Sequence, residues 1–176
     1  MRVEFFRGAG SRYRSLLHRR DGVLIELDGG SYNQVGGAGK SVPHDLAHFV
    51  VEHHLALRSG LFGVIALGGL FGHTKVISGR QPPHAARRAR AIVERAQEPL
   101  SQAEMLTRAA SDLALAGTPN DLRALRAALG ERWWLPTVTA ATLRAACEEL
   151  QAMALRWHAL PANAKIELAW RLAPPR

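Results

Sequence analysis

The sequence predicts an α+β fold: a small antiparallel sheet, completed by a strand from the C-terminus, packs against about five helices. Three observations predict it. Runs of β-forming residues occupy the first thirty positions, and the Asp21-Gly22 pair between two of them is typical of a hairpin. The second half is rich in alanine and carries apolar residues at helical spacing. The last segment returns to the two-residue period of a strand.

The N-terminal part predicts short strands followed by two helices. The β-forming runs cover residues 3–6, 13–18 and 23–27. A loop follows over residues 29–39, with a short strand expected at residues 31–34. A helix is predicted over residues 41–58, because Ser41 can cap its start, Pro43 suits its first turn and Gly60 follows its end. Residues 61–72 predict a second helix whose glycines favour close packing on a neighbour.

The second half predicts helices and one final strand. Helical segments cover residues 84–97, 99–116, 118–130 and 137–158, and the first, second and fourth of them carry an apolar stripe. In the third of these, Thr118-Pro119-Asn120-Asp121 is typical of a helix start and Gly130 of a stop. Over residues 166–172 apolar and other side chains alternate, which predicts a half-buried strand. Since a lone strand needs a partner, we expect it to return to the N-terminal sheet.

The clearest break in the pattern lies at residues 78–83, which contain Gly79 and the pair Pro82-Pro83. We therefore divide the chain into residues 1–78, with the sheet and the helix that carries the candidate site, and residues 79–176, the helical half. Because the terminal strand is expected to join the first half, the two should fold as one cooperative domain.

Composition excludes several classes of protein. A single cysteine, Cys147, excludes an internal disulfide framework and a cysteine-based zinc ribbon. The net charge of +8 favours acidic partners, but the arginines are scattered along the chain, so nucleic acid is not the favoured partner. The most apolar stretch, residues 61–72, is too short to span a membrane, and the N-terminus lacks a signal-peptide pattern. We therefore expect a cytoplasmic protein.

Two imidazoles and two carboxylates share one side of the predicted helix 41–58. At about 100° per residue, His44, Asp45, His48 and Glu52 fall within about 100° of one another, while most apolar residues face the other way. Two histidines four residues apart can place both rings on one ion, so His44 and His48 are candidate ligands of a divalent metal, best zinc. Asp45 is a candidate base for metal-bound water or a supporting group, and Glu52 a supporting carboxylate.

The segment His44-Asp45-Leu46-Ala47-His48 resembles the His-Glu-x-x-His helix of zincin metallopeptidases, with an aspartate in place of the glutamate. The resemblance covers this helix. It implies a zinc ion at His44 and His48, Asp45 in the place of the catalytic glutamate, and hydrolysis of a substrate that the sequence does not identify.

Glu52 lies about 12 Å along the helix axis from His44, so joint ligation of one ion by both would strain a straight helix. Three roles stay open for Glu52: orienting His48, pairing with an arginine, or holding substrate. A third metal ligand is then expected from elsewhere in the chain. The candidates are His18, His73 and His84.

Other interpretations of the same residues stay open. A structural, hydrogen-bonded stripe needs no metal, since an acidic residue near a helix start is favourable by itself. His44-Asp45 also resembles the paired residues of HD-type phosphohydrolases, which implies His18 upstream and Asp112 or Asp121 downstream as further ligands.

Two further patterns indicate binding without a metal. Residues 36–41 resemble part of a phosphate loop but lack its first glycine. The helix with Arg87, Arg88, Arg90 and Arg95 supports an alternative function: a non-enzymatic interaction or regulatory domain that binds an acidic protein or nucleic acid.

Overall fold

The computed structural model describes residues 1–30, 33–36, 41–116, 121–130 and 134–173. Within them the chain forms seven strands and six helices, which confirms the predicted α+β class. The strands are β1 (Arg2–Arg7), β2 (Tyr13–His18), β3 (Leu24–Gly30), β4 (Gln34–Val35), β5 (Val42–Pro43), β6 (Thr74–Ser78) and β7 (Lys165–Ala169). The helices are α1 (His44–His54), α2 (Leu61–Ala66), α3 (Ala85–Arg95), α4 (Gln97–Ala116), α5 (Leu122–Leu129) and α6 (Ala140–Ala159).

The main sheet has five antiparallel strands in the order β6-β3-β2-β1-β7. Strand β1 pairs with β2 on one side and with the C-terminal β7 on the other, where Phe5 lies opposite Ile166. The prediction that the last strand returns to the N-terminal sheet is therefore confirmed. The pairing joins the two ends of the chain across one hydrogen-bonded ladder.

Alternation along the strands gives the sheet one apolar face and one polar face. On the apolar face Phe5, Leu17 and Ile25 are fully buried. The ring of Phe5 lies edge-on to Phe49 of α1 and Phe62 of α2, with centroids 5.8 and 6.2 Å apart. The helices therefore cover this face, as predicted, and the opposite face carries charged side chains.

Helix α1 packs against both α4 and α6, which also pack against each other. It begins directly after β5, which pairs with β4 in a separate two-stranded sheet. This hairpin fixes the start of α1, since the backbone N–H of His44 donates to the carbonyl of Asn33 at 2.9 Å. The first two turns of α1 are thus held between a hairpin and two long helices.

The structure corrects several sequence-based boundaries. The predicted cap at Ser41 is wrong, because residues 42–43 extend into β5 and Pro43 takes the N-cap position without a side-chain bond. Helix α1 ends at His54 rather than at residue 58, since Ala56 adopts a positive φ of 56°. Strand β6 was not predicted, and α2 is shorter than the helix predicted over residues 61–72.

Some predictions fall on residues outside the described ranges. Residues 31–32 of the predicted short strand, residues 37–40 of the phosphate-loop pattern and residues 118–120 of the predicted helix start are among them. Asp121, the last residue of that start, is described, and its carboxylate accepts a hydrogen bond from the backbone of Ala124 at 2.9 Å as the N-cap of α5. The predicted stop at Gly130 is confirmed as the C-cap.

None of the helices in the described ranges combines the length and apolar character that crossing a bilayer requires.

Candidate metal centre

The two histidines of the predicted stripe lie side by side in the first two turns of α1. Because four residues make slightly more than one helical turn, His44 and His48 project from the same side. Their ring centroids are 4.4 Å apart, with the planes inclined at 56°. His48 is almost completely buried, whereas about a fifth of the His44 side chain is exposed. The pair therefore spans the boundary between the core and solvent.

A carboxylate from α4 joins the two rings. Glu104 Oε1 lies 3.2 Å from His44 Nε2, and Glu104 Oε2 lies 2.9 Å from His48 Nε2. The two histidines and Glu104 offer three ligand atoms that all lie within 4.8 Å of one another. About half of the Glu104 side chain is exposed, so this group closes the cluster from the solvent side.

In the metal-free protein, the contacts within the cluster favour protonated histidines beside an ionised Glu104. Burial lowers the pKa of His48, but its hydrogen bonds to Glu104 and Glu52 outweigh this and raise that pKa to about 9. Burial also lowers the pKa of His44, and Asp45 and Glu104 more than reverse the effect, so the net shift is upward. Hydrogen bonds from both rings hold the pKa of Glu104 well below its usual range.

Glu52 lies on the far side of His48 from Glu104. Its Oε1 atom is 2.9 Å from His48 Nδ1, and it also accepts backbone N–H groups of Leu61 at 2.7 Å and Phe62 at 3.1 Å. The side chain is fully buried, and these donors compensate its removal from water. Of the three roles left open for Glu52, the structure therefore agrees with the first, a hydrogen bond to His48. Glu52 also caps the start of α2.

Asp45 is turned toward the sheet rather than toward Glu104. Its carboxylate accepts hydrogen bonds from Ser15 Oγ at 3.0 Å and from Tyr13 Oη at 3.4 Å, and it is almost completely buried. Burial, together with the negative charge of Asp45, raises the pKa of Tyr13, so this hydroxyl remains a donor. Asp45 Oδ1 is 3.9 Å from His44 Nδ1, which places the carboxylate behind the His44 ring.

The histidines proposed as third ligands lie elsewhere. His18 is on the polar face of the sheet, bonded to Glu4 and Arg2. His73 stacks on Phe71 with centroids 5.8 Å apart, and His84 is the N-cap residue of α3. Among the described residues, the group that completes a possible metal site is Glu104.

The further ligands implied by the HD-type resemblance do not meet either. Asp121 caps α5 through its carboxylate, and Asp112 is exposed on α4. Neither of them, nor His18, belongs to the possible metal-ligand group found within the described ranges.

Glu104 was missed by sequence reasoning because it is 52 positions beyond Glu52 on another helix. The available signal was its place next to Ala103, a fully packed position in the apolar stripe of α4. An acidic residue at the border of such a stripe is close to the neighbouring helix, but the stripe does not identify that neighbour.

Comparisons with known proteins assign this site to no family: no family model, curated protein or solved structure matches the chain. The chemistry of the site is therefore inferred from its own side chains.

Proposed function

We propose that this protein binds a divalent transition-metal ion, best zinc, through His44, His48 and Glu104. The observation that carries the proposal is the convergence of two imidazole nitrogens and one carboxylate within 4.8 Å. Imidazole and carboxylate are ordinary zinc ligands, and two such histidines four residues apart on a helix are a common ligand arrangement.

The spacing of the ligand atoms supports the proposed zinc site. With zinc–ligand bonds of about 2.0–2.2 Å, neighbouring ligands of a tetrahedral ion lie about 3.3–3.6 Å apart. The Glu104 oxygens are already 3.2 and 2.9 Å from the two Nε2 atoms. Small side-chain adjustments would therefore admit an ion in place of the protons that now join these groups.

Carboxylates behind the rings also support a metal role. Glu52 accepts from Nδ1 of His48, and a proton fixed there leaves Nε2 as the nitrogen with a free lone pair when the ring is neutral. Asp45 stands near Nδ1 of His44 at 3.9 Å. Of the two roles predicted for Asp45, this position favours the supporting one over the general base.

Three protein ligands beside a half-exposed edge leave room for water at the fourth position, which is typical of catalytic rather than structural zinc. A water activated there would attack an electrophilic carbon or phosphorus centre, so hydrolysis is the reaction class that we propose. In this scheme His44, His48 and Glu104 hold the ion, and Glu52 and Asp45 orient the histidines.

The proposal is tested by titrating zinc into chelator-treated protein in a calorimeter. We expect one-to-one binding tighter than about 10 µM, and losses of at least about 100-fold in affinity for His44→Ala and for Glu104→Ala. Matched controls on the same two helices are His54→Ala and Glu98→Ala, which should bind as the wild type does.

Circular dichroism of each variant separates loss of a ligand from loss of the fold. Wild-type protein without stoichiometric binding, or ligand variants that bind zinc as tightly as the controls do, would overturn the metal assignment.

A further inference from the structure

Positive charge is concentrated away from the metal centre, around the end of α2 and along α3. Residues 75–98 contain six lysines and arginines and only two glutamates. Glu94 is paired with Arg90 at 2.9 Å, and the other arginines of α3 have no acidic partner among the residues that the structure describes. This part of the molecule therefore has a strongly positive surface.

Leu67 lies at the centre of this surface. It follows the last residue of α2 and is 41% exposed, which makes it one of the few large apolar side chains that face solvent among the described residues. Three surface clefts meet at Leu67, and every one of them has arginine on its rim. These arginines are Arg19, Arg20, Arg58, Arg88 and Arg95. We call Leu67 and these five arginines the Leu67 surface.

One of the three clefts has an apolar floor. It has a volume of about 210 Å³ and is lined by Val64, Leu67 and Ile92, with Arg95 at its edge. The cleft exists because α3 packs only shallowly on the rest of the protein. Within α3, Ala89 is the only buried residue. Ile92 is half-buried and separates this cleft from a second one, so α3 bridges a gap instead of filling it.

Most arginines of the Leu67 surface are available for a partner. Arg19 is paired with Asp21. Arg20, Arg58, Arg88 and Arg95 form no ion pair with any residue in the described ranges. Unpaired guanidinium groups around an apolar cleft reproduce the usual plan of a protein interface, an apolar centre with a charged rim.

We propose that the Leu67 surface docks an acidic amphipathic segment of another protein. One apolar side chain of the segment enters the cleft beside Leu67, and its carboxylates face the surrounding arginines. Nucleic acid is the less fitting occupant, because a phosphate backbone would use the arginines and leave the apolar floor unused. The proposal involves none of the metal-site residues and stands independently of the metal assignment.

The test measures binding of a fluorescein-labelled helical peptide of about 18 residues, with leucines on one face and glutamates on the other, by fluorescence anisotropy. We expect saturable binding that weakens when salt is raised from about 50 to about 300 mM, because part of the attraction is between exposed charges. Leu67→Ser should weaken it about fivefold or more, as should Arg88→Ala combined with Arg95→Ala.

Matched controls lie on α6, where Leu155 is 74% exposed and Arg144 and Arg156 are also exposed. Leu155→Ser, and Arg144→Ala combined with Arg156→Ala, should leave the affinity for the peptide within about twofold of wild type.

Two comparison probes decide the class of partner: poly-glutamate, which has no apolar face, and a DNA duplex of about 20 base pairs. We expect both to bind more weakly than the peptide and to be insensitive to Leu67→Ser. Absence of saturable peptide binding below about 100 µM would overturn the proposal. So would equal weakening by the α6 control variants, or tighter binding of either comparison probe.

Discussion

Two carboxylates of this protein each contact histidine, and their surroundings give them different chemistry. Glu104 lies between the imidazoles of His44 and His48, and no lysine or arginine within the described ranges is bonded to it. Glu4, on the polar face of the sheet, is shared by His18, Arg2 and Lys165. We refer to these groups as the Glu104 cluster and the Glu4 cluster.

The difference lies in which positive groups can give up their charge. An arginine keeps its proton at every pH that a folded protein meets, and a lysine nearly so. Burial raises the pKa of Glu4, but hydrogen bonds from Lys165 and His18 outweigh this and lower it. Glu4 is thus neutralised by permanent cations, which would repel a metal ion.

In the Glu104 cluster the cations are imidazolium groups, which can act as metal ligands once they lose a proton. A carboxylate held by imidazoles alone can exchange their protons for a metal ion, whereas one held by fixed cations cannot, and this difference is the basis of the metal proposal for the Glu104 cluster.

Gly60→Ala should destabilise the protein by about 3 kcal/mol, because the added methyl group would displace the carboxylate that holds His48 of the Glu104 cluster. A Cβ atom at Gly60 would lie 2.4 Å from Cδ of Glu52, the carboxylate that holds both His48 and the start of α2. The measurement is urea denaturation of the metal-free protein. Gly72→Ala is the control, because its Cβ would meet nothing within 4 Å, and equal stability of both variants would contradict the role given to Glu52.

The metal-free protein should lose stability, on the order of 2 kcal/mol, as the pH rises from about 6.5 to about 9. His48 has a pKa of about 9 in the folded state and about 6.5 when unfolded, so the folded state binds its proton more tightly. That stabilisation is complete below about pH 6.5 and disappears as the pH passes the folded pKa.

The measurement for this pH effect is a series of urea denaturation curves with a chelator present. Because Glu104 raises the pKa of His48, Glu104→Gln should flatten the dependence on pH. An unchanged slope in this variant would show that the Glu104 cluster does not carry the effect.

Glu52→Gln should lower zinc affinity by about tenfold, the usual loss when a group behind a metal ligand is changed. Oε1 of Glu52 accepts from both Nδ1 of His48 and the backbone N–H of Leu61, and Oε2 accepts from the backbone N–H of Phe62. A glutamine amide accepts at only one of its two ends, so it loses at least one of these hydrogen bonds and holds the His48 ring less firmly. The matching change in the Glu4 cluster, Glu4→Gln, should leave zinc affinity unchanged. Calorimetric titration checks both, and equal losses would remove the distinction between the two clusters.

His18→Ala should have the smallest effect, less than about 1 kcal/mol of stability, and no effect on zinc binding. About a third of its side chain is exposed, and Glu4 keeps Arg2 and Lys165 when His18 is removed. Thermal denaturation with and without zinc measures this. A lower zinc stoichiometry in His18→Ala would place a metal in the Glu4 cluster.

Local patterns predicted the parts of the fold that depend on local rules. Alternation over residues 166–172 identified β7, and the demand of a strand for a partner identified its place in the sheet. Helical spacing put His44 and His48 on one side of α1, where the ring centroids are 4.4 Å apart. These features depend on positions a few residues apart, which the sequence displays directly.

The features that were missed depend on contacts between distant segments. Glu104 reaches the site because α1 packs on α4, and Glu52 caps α2 because the chain turns back at Gly60. The position of Asp45 follows from the sheet, whose Tyr13 and Ser15 supply its hydrogen bonds. Neither spacing nor composition encodes which helix or strand will lie beside a given face.

The most direct measurement of the central claim is anomalous diffraction at the zinc absorption edge from crystals soaked in zinc. We predict one strong peak about 2.0–2.2 Å from Nε2 of His44, Nε2 of His48 and a carboxylate oxygen of Glu104. A peak in the Glu4 cluster instead, or none at the Glu104 cluster while the three side chains remain joined by hydrogen bonds, would contradict the claim.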